Sequence, residues 1–248
     1  MSRKRLATVV LIVIACLVLL ATLAHAPLRH AWYSYLNDYA SEYYVKQVMA
    51  FNARKDLNMP AGAVLFYGDS MVQGLAVQNA HKRAVNYGIG HATSQDVARQ
   101  LRKHKNTGEA AAIVIAVGIN DIAHGNANQV LPVYRGFIKH LPEGVPVIIS
   151  KIMPVNETDL RRTGLSDKIA QVNLGLADIC GANPGIHCLD AGQSMADPNG
   201  NLARRYHTGD GLHLNRLGNA IWLEQLQLAI EKITGDTKEV QSDSSDEQ

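Results

Sequence analysis

Short apolar segments alternate with longer amphipathic segments along residues 61–234. The apolar segments are rich in β-branched residues and predict strands at 63–68, 84–89, 111–118, 145–152 and 185–190. The amphipathic segments predict helices near 94–105, 127–141, 165–181 and 215–234. Strands that are apolar throughout are typical of a parallel sheet that helices cover on both faces. The pattern therefore predicts an α/β domain over 61–234, with three layers (α/β/α) and about five parallel strands.

The N-terminus has a different pattern. Arg3, Lys4 and Arg5 precede an uncharged apolar segment of about 19 residues, at 6–24. This length suits a helix that crosses a bilayer, and the positive charges predict that the N-terminus stays in the cytoplasm. Residues 1–26 are therefore expected to anchor the protein in a membrane, with the rest of the chain in the periplasm or outside the cell.

Cleavage of this segment is the alternative. The letters "AHA" at 24–26 resemble a signal-peptidase site, and cleavage after Ala26 would release a secreted protein. Pro27 follows directly, and the peptidase tolerates proline poorly at that position. An uncleaved anchor is therefore the favoured interpretation.

Two further segments flank the predicted domain. Residues 27–60 are expected to form a helix that links the anchor to the domain, with an aromatic face that includes Trp32 and Tyr39. Residues 235–248 are polar and acidic without an apolar period, which predicts a disordered tail.

The composition limits the classes of partner and cofactor that are expected. Lys and Arg number 24 against 22 Asp and Glu, and no basic stripe carries interleaved aromatic residues, so no nucleic-acid partner is expected. No cluster of histidines has the spacing of a metal site, and no cofactor is expected. Cys16 lies in the apolar segment, which leaves Cys180 and Cys188. These two form either a disulfide, as in an oxidising compartment, or two buried free thiols.

Three polar motifs carry candidate chemistry. They are "YGDSM" with Ser70 after the first predicted strand, "VGIND" with Asn120 after the third, and "GDGLHLN" with Asp210 and His213. In open parallel sheets ligands bind at the carboxyl ends of the strands, so Ser70 and Asn120 are expected at the same edge. A serine hydroxyl needs a base to become a nucleophile, and an imidazole suits that role. Asp210 precedes His213 by three residues and could orient its ring.

The ordered set of motifs resembles the SGNH hydrolases, the GDSL-type serine esterases and lipases, over about residues 61–233. The resemblance implies the flavodoxin-like SGNH hydrolase fold. It also implies a catalytic triad in which Ser70 is the nucleophile, His213 the base and Asp210 its partner. The Asn120 side-chain amide and the Ser70 backbone N–H would form the oxyanion hole.

The segment after the second strand departs from the family. SGNH hydrolases usually place a glycine there, and its backbone N–H joins the oxyanion hole. In "NYGIGHATS" His91 occupies that position, and a different register gives the role to Gly90. A backbone N–H survives the substitution, so either residue could supply the donor.

The resemblance implies an ester hydrolase that works through an acyl-enzyme and needs no cofactor. Its expected substrate is a small acyl ester, acetyl above all, on an envelope glycan, or a lipid-like ester. Two alternatives remain: an O-acyltransferase with the same triad, and a noncatalytic envelope binding protein.

Overall fold

The computed structural model describes residues 5, 12–16, 32, 36, 39–160 and 162–235. The chain divides into two compact units, residues 1–44 and 45–248. All described residues of the first unit are helical, and the second unit contains the sheet. Apart from Gly235, the predicted acidic tail lies outside the described residues, as does much of the predicted linking helix before residue 39.

The strands are β1 (Val64–Gly68), β2 (Ala84–Asn86), β3 (Ala112–Ala116), β4 (Val147–Ser150) and β5 (Ile186–Leu189). The helices are α1 (39–56), α2 (Ser70–Gln73), α3 (Ser94–Lys103), α4 (Ile119–Ala123), α5 (Ala127–Ile138), α6 (Glu157–Leu160), α7 (Leu165–Ala182) and α8 (Arg216–Thr234).

All five strands are parallel and lie in the order β2-β1-β3-β4-β5. The chain moves from β1 to the edge strand β2 and then returns past β1 to β3. In sheets of this order, ligands bind at the carboxyl ends of the strands, where the direction of winding reverses. The prediction of a parallel, five-stranded α/β/α fold is confirmed.

Two apolar layers cover the two faces of the sheet. Leu65 and Ile113 belong to the layer under α3, α5 and α7, whereas Val64 and Val114 belong to the layer under α8. Successive side chains of a strand point to opposite faces, so each strand contributes to both layers. The uninterrupted apolar runs of the sequence follow directly from this burial.

Strand β2 ends at Asn86 and is shorter than the predicted 84–89. The Asn86 side chain donates to the carbonyls of Val72 (2.7 Å) and Leu75 (3.0 Å) and accepts from the Gly88 N–H (2.8 Å). The segment that follows lies beside α2 and stays bonded to β1, because the N–H groups of Tyr87 and Ile89 donate to the carbonyls of Phe66 (2.8 Å) and Gly68 (3.0 Å).

Residues 45–56 of α1 pack against the segment that follows β2. Val45 and Met49 share an apolar cluster with Ile89 and Ala92. The Asn52 side chain also donates to the Tyr87 carbonyl at 3.0 Å. This half of the predicted linking helix therefore belongs to the same compact unit as the sheet.

The expected membrane anchor and the location inferred from it need correction. Within the described ranges, no helix combines the length and the apolar character that a membrane crossing requires. Helices α7 and α8 have 18 and 19 residues, but each carries charged residues along its length. Of the apolar segment 6–24, only residues 12–16 are described. The prediction of a membrane-anchored protein in the periplasm or outside the cell is therefore wrong on this finding.

Cys180 and Cys188 form a disulfide that joins the end of α7 to β5. Their Cα atoms are 5.8 Å apart, a usual separation for bridged cysteines. Of the two alternatives left open by the sequence, the structure therefore has the bridged pair.

Candidate active site

Ser70 is the first residue of α2 and follows β1 through a sharp turn. The Asp69 carboxylate accepts from the Met71 N–H at 3.0 Å and so caps the helix. Gly68 lies so close to β3 that a Cβ would stand 2.3 Å from the Ala116 carbonyl oxygen, which leaves no room for a side chain. The Gly-Asp-Ser sequence thus places the Ser70 hydroxyl at the carboxyl edge of the sheet.

Ser70, His213 and Asp210 form one hydrogen-bonded chain. The Ser70 Oγ lies 2.9 Å from the His213 Nε2, across 143 residues of sequence. The His213 Nδ1 lies 2.6 Å from the Asp210 Oδ2. Because an ionised carboxylate can only accept, Nδ1 carries the proton and Nε2 is left to accept from the serine hydroxyl.

Hydrogen bonds keep Asp210 ionised. The Asp210 Oδ1 accepts from the backbone N–H groups of Leu212 and His213, each at 2.9 Å. Burial alone would raise the pKa of Asp210, but the hydrogen bonds from the His213 ring and from these two N–H groups lower it to about 2. The carboxylate is therefore charged throughout the neutral range.

Asp69 has the opposite electrostatic environment. It is fully enclosed beneath the Ser70 turn, and burial raises its pKa to about 7, against the effect of the Met71 N–H. Its carboxyl group holds the turn rather than contacting the hydroxyl of Ser70.

Asn120 lies at the start of α4, directly after β3. Its Nδ2 donates to the Ala92 carbonyl at 2.9 Å, which fixes the side-chain amide next to the segment after β2. The neighbouring Asp121 accepts from both the N–H (2.9 Å) and the Oγ (2.8 Å) of Ser94. These bonds tie α4 to the N-terminus of α3, and no sequence motif pointed to Ser94.

The segment 88–92 has two features that bear on the oxyanion hole. The Gly90 N–H donates to the Gln73 Oε1 at 2.8 Å, so this donor is already engaged. His91 is exposed and has a φ of 64°, the one positive value at a non-glycine residue in the described part of the chain. A residue with a Cβ adopts this conformation at a cost of about 1 kcal/mol. His91 therefore has a backbone conformation that favours glycine, at one of the two positions expected for the family's glycine.

A small apolar cavity lies at this edge of the sheet, with a volume of about 30 Å³. Three of its lining residues are Met71, Ile119 and Leu212, each next to a residue of the site in sequence. Trp222 from α8 closes another side, and its Nε1 donates to the Ser150 Oγ at 3.1 Å.

Four other histidines do not join this group. His104 and His207 are buried, whereas His124 and His187 are exposed. In the ranges that the structure covers, no three His, Cys, Asp or Glu side chains are grouped as metal ligands.

A flavodoxin-like sheet with a hydrogen-bonded Ser–His–Asp chain at its carboxyl edge defines the class of site found in serine hydrolases. The model of the GDSL-like Lipase/Acylhydrolase family matches residues 61–221. The chain belongs to this family, which makes ester hydrolysis its general activity and confirms the resemblance that the three motifs suggested.

Solved structures share the fold at low sequence identity. A Streptococcus pneumonia protein described as a platelet activating factor has a TM-score of 0.73 and 22% identity, covering 81% of this chain and 99% of its own. A GDSL-like lipase from Bacteroides thetaiotaomicron has a TM-score of 0.64 and 22% identity, covering 74% and 97%. A carbohydrate esterase family 3 protein from Talaromyces cellulolyticus has a TM-score of 0.57 and 16% identity, covering 71% and 99%. No curated protein matches the sequence significantly.

Proposed function

We propose that this protein is a serine ester hydrolase in which Ser70 is the nucleophile, His213 the general base and Asp210 its orienting partner. The observation that carries the proposal is the 2.9 Å contact between the Ser70 Oγ and a His213 Nε2 that has no proton of its own. A serine hydroxyl in this position can lose its proton as it attacks a carbonyl carbon.

The reaction proceeds in two transfers of the acyl group. The Ser70 Oγ bonds to the ester carbonyl carbon while its proton moves to the His213 Nε2. The tetrahedral intermediate then collapses, the ester C–O bond breaks, and the leaving alcohol takes that proton. Water attacks the acyl-enzyme in the same way, and the products are the free acid and the regenerated Ser70.

Three N–H donors are proposed for the oxyanion. The Asn120 amide gives one of its two protons to the Ala92 carbonyl and has the second for the oxyanion. The backbone N–H of Ser70 is the second donor. For the third, Gly90 and His91 were both candidates from the sequence, and the left-handed backbone of His91 favours the His91 N–H.

The cavity supports a short acyl group on the substrate. This cavity beside the site is small, about 30 Å³, and its lining is mainly apolar, so it favours a small acyl group over a long chain. We propose acetyl or a similarly short acyl ester, carried by a glycan hydroxyl or by a lipid-like alcohol. The carbohydrate esterase from Talaromyces cellulolyticus shares the fold and is consistent with the first of these carriers.

The first experiment is labelling with a fluorophosphonate probe. Wild-type protein should label and Ser70→Ala should not, whereas Ser194→Ala, at the remote contact with Gln225, should label like the wild type. Failure of the wild type to label would favour a noncatalytic binding protein. Equal labelling of Ser70→Ala would exclude Ser70 as the nucleophile.

The second experiment compares p-nitrophenyl esters of increasing chain length. Hydrolysis should be fastest for acetate and should fall as the chain grows, because the cavity favours a small acyl group. Faster hydrolysis of octanoate than of acetate would overturn the short-acyl proposal. An added sugar tests the acyltransferase: transfer of the acyl group to that sugar, in place of free acid, would identify the transferase.

A further inference from the structure

The loop that carries Asp210 and His213 is folded around a second, buried histidine. His207 lies six residues before His213, and its side chain is 0% exposed. Its backbone pairs with Leu214 across the loop, and the Thr208 N–H donates to the His213 carbonyl at 2.8 Å. The loop is therefore closed at its base, with the His207 ring inside it.

The His207 ring contacts the backbone on both sides of Asp210. Its Nδ1 accepts from the Gly209 N–H at 3.0 Å and from the Gly211 N–H at 3.2 Å. Both glycines have positive φ, at 105° and 77°, which is the conformation that points the two N–H groups inward. Asp210 therefore lies between two glycines whose N–H groups both donate to the His207 Nδ1.

These contacts determine the tautomer of His207. A backbone N–H can only donate, so Nδ1 must be without a proton and the proton of the neutral ring lies on Nε2. The Nε2 atom lies 3.4 Å from the Asp159 Oδ2, an oxygen that also pairs with the exposed Arg204 at 3.2 Å. The ring thus accepts from the loop on one side and faces a carboxylate on the other.

Asn156 also contacts this loop. The Asn156 N–H donates to the Gly211 carbonyl at 2.7 Å, and a Cβ on Gly211 would stand 2.4 Å from the Asn156 carbonyl oxygen. This contact fixes one side of the loop. Without the His207 Nδ1, the N–H groups of the exposed Gly209 and of the buried Gly211 would lose this acceptor.

We propose that His207 is a positioning residue for the reaction. Its unprotonated Nδ1 sets the direction of the Asp210 carboxylate and, through it, the distance between the His213 Nε2 and the Ser70 Oγ. The proposal rests on the proposed serine-hydrolase function. By this proposal, a buried histidine outside the three motifs keeps the more exposed Asp210 and His213 side chains in the positions that the reaction needs.

The test compares substitutions that keep or remove an acceptor at the Nδ1 position. Asparagine places its Oδ1 near the former Nδ1, glutamine places its amide near the former Nε2, and leucine has no acceptor. His207→Leu and His207→Gln should lower kcat for p-nitrophenyl acetate about a hundredfold, the usual effect of a misplacement near 1 Å. His207→Asn should recover kcat to within about tenfold of the wild type, with KM little changed in all three.

A matched control separates positioning from stability. His104 is also buried, so His104→Leu should lower the melting temperature as His207→Leu does, yet leave kcat within about twofold of the wild type. Equal kcat in folded His207→Gln and wild-type protein would overturn the proposal, as would equal losses in the Asn and Gln variants. If His207→Leu does not fold, the comparison of His207→Asn with His207→Gln still tests the proposal.

A proton NMR measurement tests the positioning role of His207 even if the protein hydrolyses no ester. The His213 Nδ1 proton, bonded to Asp210, should give a strongly deshielded resonance in wild type and His207→Asn, and should lose it in His207→Gln. Retention of that resonance in His207→Gln would contradict the positioning role even in a protein that hydrolyses no ester. Failure of wild-type labelling, by contrast, would count against the serine-hydrolase function alone.

Discussion

Two aspartate–histidine pairs in this protein have the same chemical groups and different surroundings. In the first, the Asp210 Oδ2 and the His213 Nδ1 are 2.6 Å apart, and the side chains are 44% and 43% exposed. In the second, the Asp56 Oδ1 and the His104 Nδ1 are 3.6 Å apart, and the side chains are 2% and 0% exposed. The first pair contacts Ser70, whereas the second lies under α1 and α3.

The surroundings give the pairs different electrostatic properties. Burial lowers the pKa of His104 to about 4, despite the nearby Asp56, so this ring is neutral at pH 7. The Tyr67 hydroxyl lies 2.7 Å from its Nδ1. His213, by contrast, is partly exposed, and its Nε2 lies 2.9 Å from the Ser70 Oγ. An Asp–His pair suits acid–base work here only where it stays in contact with water.

The largest expected difference concerns the two histidines. His213→Gln should lower kcat/KM roughly 10⁴- to 10⁶-fold, because the serine then has no base. His104→Gln should leave kcat/KM within about twofold, since no contact joins this ring to Ser70. Ester hydrolysis by both purified variants tests this. A loss of activity in His104→Gln comparable with that in His213→Gln would show that the pairs do not differ in this way.

Substitution of Asp210 should mainly affect activity, whereas substitution of Asp56 should mainly affect stability. Asp210→Asn should lower kcat roughly 10³- to 10⁴-fold while the melting temperature changes little, because this partly exposed carboxylate orients a ring rather than holding the fold. Asp56→Asn should keep kcat and lose about 1–3 kcal/mol of unfolding free energy. The Asp56 Oδ2 accepts from the N–H groups of Lys105 (2.8 Å) and Asn106 (3.4 Å), and a neutral amide oxygen accepts more weakly than a carboxylate.

Urea unfolding and kinetics on the same preparations measure both effects. A stable Asp56→Asn protein with low kcat would contradict the assignment of that aspartate to the fold.

The smallest expected effect is the pH dependence of stability. Because the folded-state pKa of His104 is about 4 and an exposed histidine has about 6.5, the unfolded chain binds more protons between these values. The contribution of His104 to the free energy of unfolding is therefore present in full above pH 6.5 and is lost as the pH falls toward 4. The stability advantage of wild type over His104→Gln should therefore shrink by about 3 kcal/mol at most between pH 7 and pH 4.

Asp69 changes the stability with pH in the opposite direction, but its contribution cancels when wild type and His104→Gln are compared. Its raised pKa, about 7, favours the folded state at low pH, and this contribution is lost as the pH rises from roughly 4 to 7. Both proteins contain Asp69, so the difference in unfolding free energy reports on His104. A difference that stays constant over this range would show that His104 has no depressed pKa.

The sequence alone predicted the sheet and the residues that meet at its edge. Continuous apolar strands indicated a parallel sheet, because burial on both faces requires them. Ser70 and Asn120 follow β1 and β3, so the topology places both at the carboxyl edge. The sequence also suggested His91 as one of two positions for the family's glycine, but it did not predict the left-handed φ of 64° that His91 adopts.

Several features depended on contacts between segments far apart in sequence. Gln73 holds the segment 88–92 through the Gly90 N–H, and Ser94 holds Asp121, and the sequence analysis predicted neither contact. The apolar segment 6–24 suggested a membrane anchor by its composition, and no described helix has the properties of one.

Local pattern therefore determined the strands, the helices and the three candidate motifs, because each depends on neighbours within a few residues. Tertiary structure decided which histidine faces Ser70 and which is buried. Burial, hydrogen-bond partners and the 2.9 Å between the Ser70 Oγ and the His213 Nε2 arise only when residues 143 positions apart are brought together. Two Asp–His pairs that are chemically alike in sequence thus become a partly exposed pair beside a serine and a buried pair within the fold.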